Sequence, residues 1–145
     1  MRQGSISSYV VVASCAAILS VAATSAIRTS QAQPTPAAPA VLLTQPLSDL
    51  PGREVRISLL DRPPQASSPP HRHPGHHTFG YVLEGSYEFA VDGAAPRLLK
   101  AGEVFYEPPG VVHSTSRNPS ADQRTKIVVF MVADQKNPTT VVEKP

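Results

Sequence analysis

An all-β fold, an antiparallel barrel or sandwich, is expected from three features of this 145-residue sequence. Short runs of Val, Ile, Leu, Phe and Tyr recur along the chain, no stretch keeps the 3.6-residue apolar period of a helix, and Pro, Gly, Asp and Ser punctuate every gap. Sixteen prolines and eight glycines interrupt the chain too often for helices to build. Taken in order, strands are expected at about Val55 to Leu60, Phe79 to Glu84, Tyr87 to Val91, Pro96 to Leu99, Val104 to Tyr106, Val111 to Ser116 and Thr125 to Val132.

The first of these alternates, with Val55, Ile57 and Leu59 set against Arg56 and Ser58. Glu84-Gly85-Ser86 and Val91-Asp92-Gly93 are turns, the second with Gly suited to a positive φ. Pro108-Pro109-Gly110 makes a rigid corner. Ile127 to Val132 is apolar at every position, the pattern of a strand buried on both faces. No internal repeat interrupts this succession of short strands.

The N-terminus is different. Met1 and Arg2 give a positive start, followed by an uncharged apolar stretch from Val10 to Ala23, so residues 1–32 are read as a secretory signal peptide. The stretch is short and dotted with Ser, Cys and Thr, which argues against a stable membrane anchor. Cleavage is placed after Ala32, with Thr24-Ser25-Ala26 as the second choice. Val12-Ala13-Ser14-Cys15 resembles a lipoprotein attachment box, but the apolar run continues past Cys15. Residues 33–40 form a Pro/Ala-rich tether, and residues 41–145 are read as the folded domain. The expected localisation is periplasmic or extracellular.

Without Arg2 and Arg28, 11 basic residues face 11 acidic ones, so the mature chain is formally neutral. It has no basic stripe, and nucleic acid is not an expected partner. Cys15 is the sole cysteine and leaves with the signal peptide, so neither disulfide nor thiolate is available. His, Asp and Glu remain as metal ligands.

All five histidines lie in two Gly- and Pro-rich windows: His71, His73, His76 and His77, then His113. Imidazole is the commonest protein metal ligand, and that concentration reads most simply as a metal centre. Residues two apart on a strand share a face, so His71 and His73 can converge on one ion, with the Pro108 to Gly110 corner aiming His113 at it.

At these residues the chain resembles the cupin family. His71-Arg72-His73, continuing through Glu84-Gly85, follows the second half of the first cupin motif. Gly102, Pro108, Gly110 and His113 reproduce the spacing of the second, with Asn118 one residue late. Together the motifs cover about Pro70 to Asn118. The resemblance implies a jelly roll, the cupin double-stranded β-helix, with His71, His73 and His113 as ligands to one divalent ion (Fe, Mn, Zn, Ni or Cu). The family's Glu ligand is missing: Thr78 or His77 occupies its place according to the spacing used, and the upstream Gly is absent. His77 is ranked first as fourth ligand, water second and His76 last. An unbroken strand turns His77 away from Thr78, towards the face of Phe79, Tyr81 and Leu83, whereas a bulge near Pro74-Gly75 could reverse that parity. A ligand set without carboxylate favours iron or zinc.

The resemblance implies a small metal-dependent enzyme of dioxygenase, lyase or isomerase type acting on a small-molecule substrate. A non-catalytic metal- or ligand-binding module is the alternative, because no general base stands out. Glu84 and Glu88 are candidate acid or base groups, with Glu84, beside its turn, read as solvated; Arg117 is read as a rim residue, with pairing to a substrate carboxylate as the alternative, and Tyr81, Phe89, Phe105 and Tyr106 are read as wall and core. A homodimer that covers exposed strands is a further expectation. Mass spectrometry of the exported protein is expected to find Gln33 at the N-terminus; an N-terminus at a lipid-modified Cys15 would contradict the assignment.

Overall fold

The structure, a computed structural model, describes residues 37–144. The stretch read as a signal peptide, residues 1–32, and the first half of the tether, residues 33–36, lie outside the described residues. Ten strands follow: β1 (Ala40–Pro46), β2 (Arg53–Arg62), β3 (His71–Arg72), β4 (His77–Glu84), β5 (Ser86–Val91), β6 (Arg97–Lys100), β7 (Val104–Glu107), β8 (Val112–Arg117), β9 (Thr125–Asp134) and β10 (Val141–Val142). They form two five-stranded sheets, β1-β2-β9-β4-β7 and β10-β3-β8-β5-β6, with every pairing antiparallel. The expected all-β, antiparallel barrel is the fold observed.

The apolar core lies between the sheets on the side of β4 to β7, where Val82, Tyr87, Phe89, Leu99 and Phe105 meet Ile127, Val129 and Met131 of β9. Gly80 of β4 is set opposite Phe105 of β7. A Cβ on Gly80 would lie 2.0 Å from the Phe105 ring, so the glycine exists to admit that ring.

One sequence expectation needs correction. β9 is buried on one face only: Thr125, Ile127, Val129, Met131 and Ala133 point inward, whereas Val128, Phe130 and Val132 are half-buried on the outer face. Outward neighbours partly cover them, Phe79 for instance lying with its ring centroid 6.2 Å from that of Phe130. The alternation read on β2 is observed, with Glu54, Arg56, Ser58, Leu60 and Arg62 facing an internal cavity while Val55, Ile57 and Leu59 share the other face. β2 supplies cavity wall rather than core.

Replacing Gly80 by Ala is expected to lower stability by about 1–3 kcal/mol, because the rigid Phe105 ring must move. Denaturant midpoints of Gly80→Ala and of Gly80→Ala/Phe105→Leu check this, with partial recovery expected in the double variant.

Candidate metal centre

The two histidine windows become adjacent strands. β3 pairs with β8 so that His71 stands directly opposite His113, with ring centroids 4.9 Å apart. His73 follows on the same face as His71, its ring centroid 5.1 Å away, while Arg72 between them turns outward and pairs with Glu143. The three rings, each buried, line one cavity. The Pro108-Pro109-Gly110 corner joins β7 to β8; Gly110 takes φ +76° and donates its N–H to the His73 carbonyl at 3.1 Å.

Sequence reasoning missed the carboxylate. Glu107, at the end of β7, is buried, with Oε1 3.2 Å from His113 Nδ1 and Oε2 3.6 Å from His73 Nε2. One ligand atom each from His71, Glu107 and His113 fall within 4.8 Å of one another. The available signal was parity: Phe105 is the inward residue of β7, and Glu107, two further on, shares its face. Glu107 is the register partner of Thr78, the position that the first motif leaves without its Glu. The donor set therefore includes a carboxyl group, and the preference for iron or zinc drawn from a ligand set without one no longer holds.

His77 and His76 do not join the other three. β4 is unbroken, so His77 is exposed on the outer face, with its Nδ1 2.8 Å from the Tyr106 hydroxyl. His76 is fully buried and has both nitrogens engaged, Nε2–H donating to the Pro138 carbonyl at 3.0 Å and Nδ1 accepting from the Asp134 N–H at 2.9 Å. It pins the segment after β9. That segment in turn orients His73, whose Nδ1–H donates to the Thr139 carbonyl at 2.5 Å, leaving Nε2 free to face Glu107. His71 is set likewise by Nδ1–H donation to the Pro69 carbonyl at 2.9 Å. A backbone acceptor on one imidazole nitrogen fixes the tautomer that offers the other as a ligand.

Other candidate residues are placed elsewhere. Glu84 pairs with Lys126, and Arg117 with Glu88, near the surface. Tyr81 and Tyr106 are on the outer face, whereas Phe89 and Phe105 are core. Asn118 is a structural clamp: its amide donates to the carbonyls of Arg62, Pro63 and Gln123.

A metal ion fits this donor set on an observation internal to the protein. Glu107 Oε2, His113 Nδ1 and Thr78 Oγ1 are buried without a hydrogen-bond partner among the described residues, although groups so buried are ordinarily satisfied. His71, His73, His113 and Glu107 would hold the ion, which would supply Lewis acidity towards an oxygen of a bound molecule. The adjoining cavity, of about 690 Å³, is large enough for a small organic molecule. Tyr87 borders it with its hydroxyl 2.7 Å from Ser116 Oγ and 3.5 Å from His113 Nε2. Burial pushes that phenol up to about 12, so it stays protonated at neutral pH.

Residues 58–131 match the family described as Cupin domain. This chain belongs to the cupin family. A germin-like protein of Arabidopsis thaliana, subfamily 2 member 2, is 38% identical over 68 residues, which are 44% of this chain and 31% of that protein. Among solved structures, the DMSP lyase DddQ of Ruegeria pomeroyi aligns with TM-score 0.55 and 25% identity over 63% of this cupin and 44% of its own chain. An oxalate oxidase in complex with the substrate analogue glycolate aligns with TM-score 0.53 and 28% identity over 60% and 45%. This cupin thus spans less than half the length of each of these relatives.

Burial, aided by the neighbouring His113 and His73, holds His71 below its ordinary value of 6.5 against the opposing Pro69 carbonyl. Burial also lowers His76. As pH falls through 6.5 the unfolded chain takes up protons that the folded state refuses, so the metal-free protein is expected to lose stability on acidification. Denaturant midpoints from pH 7.5 to 5 should fall, with a shallower slope in His71→Gln.

Proposed function

We propose that this cupin holds one divalent metal ion on His71, His73, His113 and Glu107 and uses it to bind and activate a small organic substrate in the adjoining cavity. The observation that carries this reading is the buried, donorless Glu107 carboxylate oxygen facing inward-turned imidazoles. Removing a carboxylate from water costs several kcal/mol unless a cation compensates it. The similarity to a lyase and to an oxidase supports lyase- or dioxygenase-type chemistry, with isomerase chemistry equally open to a Lewis-acid site. The apolar N-terminal run supports export.

A specific observation favours the second reading, a binding module without turnover. Glu54 is paired with Arg56, Tyr87 is held protonated, and Glu107 belongs to the centre, so the cavity offers no uncommitted carboxylate as a general base. Proton transfer would then fall to Glu107 or to the substrate. Oxygen uptake or product formation across a panel of phenols, enediols and hydroxy acids separates the two readings.

Untagged mature protein is expected to retain close to one metal per chain, and His71→Ala/His113→Ala to retain none. Glu107→Gln should weaken metal binding by more than about tenfold, whereas His77→Ala should bind as wild type does. Elemental analysis and chelator competition read both; equal metal content in wild type and the double variant would overturn the site.

A further inference from the structure

The cavity contains a second unsatisfied group, of opposite charge. Arg62, the last residue of β2, is 5% exposed and faces inward. Its Nη2 donates to Ser68 Oγ at 3.0 Å and Ser116 Oγ at 2.9 Å, and its guanidinium carbon lies 5.7 Å from the centre of the Tyr87 ring. Nε and Nη1 are buried with no hydrogen-bond partner among the described residues. Arg56, Arg72, Arg117 and Arg124 each pair with a carboxylate; among the described residues none pairs with Arg62.

A permanently charged guanidinium with two idle buried donors is costly to leave alone, because neither hydroxyl contacts nor a ring face replace a counter-ion. Two carboxylates line the same cavity. Glu54 is taken by Arg56, and Glu107 faces the imidazoles. Once a divalent cation engages Glu107, both the centre and Arg62 carry uncompensated positive charge. The two are linked: Arg62 and Tyr87 share Ser116 Oγ, and the Tyr87 hydroxyl reaches His113.

We propose that Arg62 is the anion-recognition residue of this cavity, and that its guest is a small carboxylate, one oxygen of which accepts a hydrogen bond from an idle guanidinium N–H while its other oxygen faces the histidines. The second contact rests on the metal reading above; the first does not. Arginine suits the task because it stays charged and offers several fixed donors to a carboxylate. The rigid Ser68 and Ser116 contacts hold it ready before the guest arrives.

Titration calorimetry on the mature protein, metal-loaded and metal-free, tests this with glycolate, lactate and benzoate, each beside its neutral amide. Wild type should bind at least one acid about 10- to 100-fold more tightly than its amide. Arg62→Gln should lose that preference while keeping its metal content and its affinity for the amide, and Arg62→Lys should recover part of it. Wild type that binds no acid, or binds acid and amide alike, overturns the proposal, as does an Arg62→Gln protein that keeps the preference. Should the variants fail to fold, the acid-to-amide ratio of wild type decides. Acid preference without bound metal would sustain Arg62 and sink the metal centre; bound metal without acid preference would do the reverse.

Discussion

A carboxylate oxygen enclosed by a β-barrel and reached by no N–H or O–H donor is the constraint from which the rest of this protein follows. Glu107 is in that position. Its neighbours are imidazole nitrogens, and two of the three histidines have their tautomer set so that the nitrogen left over is not a donor. Left in that state the group would favour unfolding. A cation placed among the four side chains would turn the same arrangement into a favourable one and would couple folding to metal binding through a single residue.

Much of the chain outside the two motifs serves that geometry. The segment between β9 and β10 shows this most clearly. His76, buried at its base, grips Pro138 and Asp134; the segment thus fixed presents the Thr139 carbonyl to His73, and β10 then pairs with β3 beside His71. A histidine whose two nitrogens are both engaged by backbone groups therefore positions one proposed to bind the ion. Cutting the chain after β9 would remove the His73 acceptor while leaving both motifs intact.

The long strands were legible because their alternation and turn residues are local signals. β4, β5, β7, β8 and β9 fall within a few residues of where periodicity puts them. β3 and β10 are two residues each and exist only by pairing with each other and with β8, so no window of sequence could reveal them. The sense of β2 was equally hidden: apolar residues alternating with Arg and Ser suggest apolar-inward, but a barrel that contains a polar cavity inverts that rule on the wall facing it. His71 and His73 were legible through strand parity, and His113 through the proline corner and the spacing of the second motif. Glu107 was not, because the motif directs attention to β4, and the residue stands one place beyond the expected strand, beside a proline corner.

That displacement has a mechanical consequence. Positions 78 and 107 are opposite one another on paired antiparallel strands, so a carboxylate on either can reach the same interior volume. On β4 it would follow the His71 and His73 window through the Pro74-Gly75 turn. On β7 it is joined to His113 through Pro108, Pro109 and Gly110, whose ring-locked angles and hydrogen bond to the His73 carbonyl leave little freedom. Two short rigid units result, one carrying His71 and His73 and the other Glu107 and His113, and the register of His71 against His113 clamps them together. The vacated place holds Thr78, whose buried hydroxyl has no partner and lines the cavity. With the carboxyl group on Glu107, Thr at position 78 leaves room on the β4 side of the same cavity that Arg62 lines.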